Sequence, residues 1–205
     1  MAKERLKSPR VRLFVALDLP DAIREGIVAW QLAELEPVPE LRVVPPENLH
    51  VTLAFLGWQR ERDVEPIIAA LADLRTPAPE LAFEPELAPK GRSRRRPGLF
   101  ALETRGEGAA GVQAEVSERL VEARFYEPEK RPFWSHVTVA RVRAERRGSK
   151  RPALVSRWPG RPPEELLRPF EAVRVRLYRS ILRPQGAQYV PVAQIELPRG
   201  GEEVI

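Results

Sequence analysis

The sequence predicts an α+β protein whose strands pair mostly antiparallel. Apolar or alternating segments typical of strands are mixed with segments of helical periodicity, and several strands follow one another closely enough to form hairpins. The phrase His-Val-Thr occurs twice, beginning at His50 and at His136, with a helix-rich stretch near each copy. The spacing of 86 residues between the two histidines suggests two similar lobes.

The elements of the first lobe follow from their hydrophobic patterns. Residues 11–17 are an apolar run typical of a buried strand, and residues 20–35 have the start signal and the apolar face of a helix. Residues 42–44 form a second short strand. Residues 49–56 alternate as a strand does, and Gly57 is expected to end that strand.

The middle of the chain contains a helix, a basic hairpin and a second helix. Residues 63–74 and 109–125 have helical spacing of their apolar residues. Residues 81–87 and 99–102 are predicted strands on either side of a basic loop, residues 90–97.

The last third is predicted to contain three strands, of which the last two show clear alternation of apolar and polar residues. A polar loop with proline and glycine, residues 145–163, interrupts the pattern. Strands are predicted over residues 135–142, 170–182 and 188–197.

The composition excludes several classes of protein. The 205 residues include no cysteine, which excludes disulfides, thiol nucleophiles and cysteine-ligated zinc. No apolar run approaches the roughly 20 residues of a membrane span, and no signal-peptide core follows the basic start. We expect a cytoplasmic protein without membrane association, with a disordered basic tail over residues 1–9 and a single two-lobed domain over residues 10–205.

The charge of the chain suits an anionic ligand. The net charge is +5, and 29 of the 34 basic residues are arginine, whose planar guanidinium matches phosphate. Few lysines and 22 prolines also fit a GC-rich or heat-adapted genome, so composition alone does not decide between the two explanations.

Each His-Val-Thr motif places an imidazole beside a hydroxyl. Residues at i and i+2 of a strand share a face, so His50 and Thr52 point one way while Val51 points into the apolar layer. The same argument applies to His136 and Thr138. If the two strands face each other, two imidazoles and two hydroxyls converge on one small ligand.

Such a group of four side chains suits a phosphate ester. One imidazole can take a proton from water while the other, as imidazolium, protonates the leaving oxygen. The hydroxyls can donate hydrogen bonds to the non-bridging oxygens. With two histidines and no cysteine, a histidine-rich transition-metal site is unavailable. Carboxylate-bound magnesium stays open, but no paired-aspartate motif argues for it, and we predict no metal and no other cofactor. This chemistry alone does not say which histidine is the acid.

Three stretches of the chain carry a family resemblance. The two histidine motifs resemble the paired His-x-Thr-x motifs of the two-histidine (2H) phosphoesterase superfamily. The longer stretches closely resemble the bacterial and archaeal RNA 2',3'-cyclic phosphodiesterases, also called the LigT or 2'-5' RNA ligase family. These stretches are residues 12–20, 48–57 and 132–141.

The resemblance implies a bilobal, pseudo-twofold fold with flanking helices and a central cleft. It implies metal-independent hydrolysis of 2',3'-cyclic phosphate ends of RNA to 2'-phosphomonoesters, with reversible 2'-5' ligation as an accompanying activity. His50 would be the proton donor and His136 the proton acceptor. Thr52, Thr138 and Arg141 would bind the phosphate.

Two other functions remain open at this stage. The chain could act on small cyclic nucleotides or on ADP-ribose cyclic phosphate, or it could be a non-catalytic RNA-binding module. RNA with a 2',3'-cyclic phosphate end is the expected partner, and no obligate protein partner is evident.

Several residues near the motifs have two interpretations. Residues 92–96 and the basic run over 141–151 could contact RNA phosphates or could be solvated surface. Phe55 and Trp134 could each stack on a base. For Phe55, two residues after Leu53, the core face of its strand is the favoured position.

Overall fold

The computed structural model of the protein describes residues 9–106, 108–183 and 186–200. The strands are β1 (Arg10–Asp18), β2 (Leu41–Val43), β3 (His50–Arg60), β4 (Glu80–Lys90), β5 (Leu99–Arg105), β6 (His136–Val142), β7 (Phe170–Glu171), β8 (Arg174–Arg183) and β9 (Gly186–Glu196). The helices are α1 (Asp21–Trp30), which a π-helical turn (Gln31–Leu35) continues, α2 (Val64–Leu71) and α3 (Gly108–Glu122). The predicted basic tail over residues 1–9 lies outside the described residues except for Pro9.

All paired strands run antiparallel, so the predicted α+β class with a mostly antiparallel sheet is confirmed. The sheet has the strand order β7-β4-β5-β6-β3-β1-β8-β9, and β2 pairs with β6 beside this path. Strands β3 and β6, which carry the two histidine motifs, are therefore neighbours at the centre of the sheet. No helix of the described residues has the length and apolar character that crossing a bilayer requires.

The two halves of the sheet share one register pattern. On β1 and β3, Ala16 lies opposite Thr52, Leu17 opposite Val51 and Asp18 opposite His50. On β5 and β6, the corresponding partners are Ala101 and Thr138, Leu102 and Val137, and Glu103 and His136. An Ala-Leu-acid segment therefore supports each histidine motif, which is the internal repeat that a pseudo-twofold fold requires.

The helices cover one face of the sheet and leave the other for a cleft. The main core contains buried residues of all three helices and the inward side chains of the strands. The side chain of Gln31 is buried there, and its Nε2 donates to the carbonyls of Val44 and Val139 behind the histidine strands. The opposite face carries a separate small cluster of Phe14, Ala16 and Tyr178.

Two predictions about strand ends were wrong. Gly57 does not end β3, because it adopts a positive φ of 66° at an irregularity in the β1–β3 register and the strand continues beyond it. The predicted strand over residues 170–182 is split into β7 and β8. The split has a clear cause, because β7 pairs with β4 whereas β8 pairs with β1 and β9.

Phe55 faces the cleft rather than the core, contrary to the sequence prediction. Val15 pairs with Ala54 and Ala16 pairs with Thr52, so Leu53 is an extra residue in β3. This bulge reverses the alternation of faces. Phe55 consequently shares a face with Thr52, and its side chain is 55% exposed.

Candidate active site

The five residues predicted to form the site line one cavity. His50, Thr52, His136, Thr138 and Arg141 all border an open space of about 690 Å³ on the helix-free face of the sheet. The strand alternation that placed each threonine beside its histidine therefore holds in three dimensions.

Strand pairing determines how the two motifs meet. Strands β3 and β6 share a single registered pair, Val51 opposite Val137, and both valines are fully buried. Continuing this register by one residue places His50 across from Thr138 and Thr52 across from His136. Beyond that point β6 pairs with β2 instead, so the two strands separate and a cleft opens between them.

His50 lies in an aromatic environment. The ring centroids of Phe14, Tyr189 and Tyr178 are 5.0, 5.5 and 5.8 Å from that of His50. Burial among these rings, followed by the charges of His136, Arg24 and Arg141, lowers the pKa of His50 to about 3. In the free protein at neutral pH the His50 imidazole is therefore uncharged.

Trp134 holds His136 in place. The indole stacks on the imidazole with centroids 3.6 Å apart, and His136 Nδ1 lies 2.7 Å from the Trp134 carbonyl oxygen. Trp134 Nε1 donates to the Glu103 carboxylate. Lys90 Nζ lies 4.4 Å from the indole centroid, and it must occupy the other ring face. A base could therefore stack on Trp134 only by displacing the exposed Lys90 side chain, so the predicted stacking role stays a prediction.

Burial also lowers the pKa of His136, but two neighbours counteract it. The Trp134 carbonyl and the negative charge of Glu103 stabilise the imidazolium, whereas Lys90 and Arg141 oppose it. At His50 the backbone of Asn48, also two residues earlier, likewise favours the imidazolium. The buried Nδ1 of His50 nevertheless makes no well-formed hydrogen bond. Only His136 therefore has a carboxylate supporting its charged form.

The acidic residue opposite His50 serves a structural purpose. The Asp18 side chain is 1% exposed, and its oxygens lie 2.6 Å from Arg24, 3.1 Å from Arg176 and 3.3 Å from Arg174. Arg24 also donates to the carbonyls of Pro46 and Leu49, immediately before His50. The cluster consequently fixes the backbone from which His50 projects.

Arginines from distant parts of the chain make the cavity basic. Besides Arg141, the cavity is lined by Arg12 of β1, Arg42 of β2 and Arg183 of β8. Sequence reasoning did not identify these three, because only the folded sheet brings their strands together. It also missed Glu103, although the match between Ala16-Leu17-Asp18 and Ala101-Leu102-Glu103 was a signal that could have found it.

A second cavity of about 790 Å³ adjoins the first. Thr52, Phe55 and His136 border both, so the two cavities meet at His136, whereas His50 borders the first cavity alone. Lys90, Arg131 and several aromatic residues line the second cavity. The cleft therefore has room for groups on either side of a phosphate.

The basic loop over residues 92–96 pairs with Glu145 rather than facing the cleft, whereas Arg141, which begins the second basic run, lines the first cavity. Arg96 and Arg151 both pair with Glu145, at 3.0 and 3.7 Å. None of the basic residues of the 92–96 loop lines either cavity. Across the described part of the chain, no three histidine, aspartate or glutamate side chains cluster as metal ligands would.

Comparison with known proteins gives a consistent result. The family model described as LigT-like phosphoesterase matches residues 17–97. An RNA 2',3'-cyclic phosphodiesterase of Archaeoglobus fulgidus is 31% identical over 179 residues, which are 87% of this chain and 96% of that protein. The enzyme of the same name from Thermus thermophilus is 30% identical, over 91% of this chain and 90% of its own length.

Solved structures share the fold. A Thermus thermophilus protein superimposes with a TM-score of 0.70 and 25% identity, covering 92% of this chain and 99% of that one. Escherichia coli LigT in complex with NADP+ superimposes with a TM-score of 0.67 and 25% identity, covering 94% and 100%. The fold and the paired motifs define a two-histidine phosphoesterase. The chain belongs to the LigT-like phosphoesterase family.

Proposed function

We propose that this protein hydrolyses the 2',3'-cyclic phosphate end of RNA to a 2'-phosphomonoester, using His50 and His136 as acid and base. One observation carries the proposal: two imidazoles and two threonine hydroxyls share one face of neighbouring strands in a basic cavity. The names of the Archaeoglobus and Thermus relatives supply the substrate.

His136 is suited to be the base. If its Nδ1 carries the proton and donates it to the Trp134 carbonyl, Nε2 keeps a free lone pair. When Nε2 accepts a proton from water, the Glu103 charge stabilises the imidazolium that forms. This is the division of labour between carboxylate and imidazole in other acid-base sites.

His50 is suited to be the acid, for the opposite reason. Its aromatic surroundings favour the neutral ring, so an imidazolium at this position gives up its proton readily. The bound phosphodiester anion would place a negative charge beside His50 and thereby raise its pKa. We therefore expect His50 to acquire its proton when substrate binds and to lose it during the reaction.

The proposed reaction balances with these two residues. Water attacks phosphorus as His136 takes one of its protons, the bond from phosphorus to the 3'-oxygen breaks, and His50 protonates that oxygen. The 2'-ester bond remains. Thr52, Thr138 and Arg141 would donate to the non-bridging oxygens, where charge accumulates in the transition state.

The decisive experiment uses an oligoribonucleotide with a 2',3'-cyclic phosphate end, incubated in EDTA. We expect conversion to the 2'-phosphate, and we expect His50→Ala and His136→Ala each to abolish it. Thr76→Val, a threonine that lines neither cavity, is a matched control that should retain activity. Activity in either histidine variant would exclude the two-histidine mechanism, and a 3'-phosphate product would exclude the assigned direction of cleavage.

A further inference from the structure

We propose that Trp58 and Arg12 form a second nucleotide subsite, which binds the nucleotide preceding the reacting end of a single-stranded RNA. This inference rests on the proposed function, and it concerns how that function distinguishes an RNA chain from a mononucleotide.

The first observation is an exposed aromatic track on the cleft face. Phe55 and Trp58 are 55% and 58% exposed, and both lie on β3. Their partners on β1 are Phe14 and Arg12, which are two residues apart and share a face. The bulges in β3 thus align Thr52, Phe55 and Trp58 in one row leading away from the histidines.

The second observation is the spacing along this row. Each step corresponds to two residues of β1, from Ala16 to Phe14 and from Phe14 to Arg12, or about 7 Å. That is roughly twice the 3.4 Å between stacked bases of one strand. A row with this spacing suits bases that are unstacked from one another and held singly on aromatic side chains, as in single-stranded RNA recognition.

The third observation is charge. Arg12 borders the first cavity, and Arg10 lies opposite Arg60 one step further out. Among the described residues, no carboxylate forms an ion pair with Arg10, Arg12 or Arg60, whereas several surface arginines elsewhere do pair with glutamate. Beyond Arg60 the chain turns to Glu61, which pairs with Arg179, and to Asp63, which pairs with Arg62.

These features assign one nucleotide to each aromatic residue. The base of the reacting nucleotide would lie near Phe55, which borders both cavities. The preceding base would stack on Trp58, and the guanidinium of Arg12 would contact the phosphate between the two.

The test compares a mononucleoside 2',3'-cyclic phosphate with a dinucleotide that has the same end. For Trp58→Ala we expect the ratio of the dinucleotide kcat/KM to the mononucleotide kcat/KM to fall about 10-fold or more through KM, as loss of one stacked base predicts. Trp58→Phe should lose less. Trp158→Ala is the matched control, because Trp158 is 50% exposed but packs edge-on against Phe100 of the main core instead of lying in this row.

A binding measurement makes the result independent of turnover. A labelled single-stranded RNA with a 2'-phosphate end should bind more weakly to Trp58→Ala than to Trp158→Ala by fluorescence anisotropy. Arg12→Ala should lower the salt dependence of that binding by about one phosphate contact. An unchanged ratio and unchanged affinity in Trp58→Ala would overturn the subsite. If wild-type protein turned over neither substrate, the proposed function would fail while the anisotropy still decided the subsite.

Discussion

His50 should make the stability of this protein depend on pH. The folded protein holds the pKa of His50 at about 3, below the ordinary value of 6.5. Below pH 6.5 the unfolded chain therefore binds a proton at His50 that the folded chain does not bind. Stability is fully present above pH 6.5 and is lost as the pH falls toward the folded pKa. At pH 5, which is 1.5 pH units below the ordinary pKa, the loss of about 1.4 kcal/mol per unit amounts to about 2 kcal/mol of stability.

The measurement is urea unfolding followed by circular dichroism at pH 7 and pH 5. His50→Gln changes the baseline stability, so the quantity of interest is the loss between the two pH values, which should be about 2 kcal/mol smaller in the variant. His136→Gln should reduce the loss of stability between pH 7 and pH 5 by a smaller amount, because Glu103 offsets part of the effect of burial on the pKa of His136. Added inorganic phosphate should reduce the wild-type loss, since a bound anion favours the imidazolium.

An equal loss in wild type and His50→Gln would refute this reasoning. It would mean that His50 keeps an ordinary pKa in the folded protein. The argument that its imidazolium is a strong acid would then fail as well, since both depend on the same desolvation.

Three further predictions concern the surroundings of the histidines. Glu103→Gln keeps an acceptor for Trp134 but removes the negative charge, so kcat should fall about 10-fold. This is less than the ~10²–10⁴ that a general base contributes. Steady-state kinetics that show this fall in kcat at unchanged KM would support the prediction. Thr138→Val should lower kcat about 10²-fold at unchanged circular dichroism, as loss of one transition-state donor does. Asp18→Asn leaves three arginines without their counter-charge and should cost about 3–5 kcal/mol in urea unfolding. A loss under about 1 kcal/mol would show that Asp18 does not hold the cluster together.

The features that sequence reasoning predicted well are local ones. The pairing of each histidine with a threonine depends only on strand alternation, and the hydrophobic pattern of residues 50–53 is enough to establish it. The split between β7 and β8 was missed because it depends on which strands lie alongside. Phe55 was assigned to the wrong face because a bulge arises from pairing with β1, and no periodicity within β3 records it.

Residues that complete the site were missed for a related reason. Arg42 and Arg183 do not stand out in an arginine-rich chain, and only the order of strands brings them to the cavity. Glu103 lies 33 residues before His136, so its effect on that imidazole depends wholly on the β5–β6 register. The charges around the two histidines therefore depend on long-range strand pairing, whereas the local sequence pattern is enough to identify the histidines as site residues.

The two halves of the site share a register but differ in charge, and this difference provides a physical basis for separate roles. Asp18, opposite His50, is outnumbered by three arginines, so the cluster as a whole is positive and does not support an imidazolium. Glu103, opposite His136, forms no ion pair with any described residue, and its charge favours protonation of His136. We therefore expect the unequal carboxylates of a symmetric scaffold to make His50 the better donor and His136 the better acceptor.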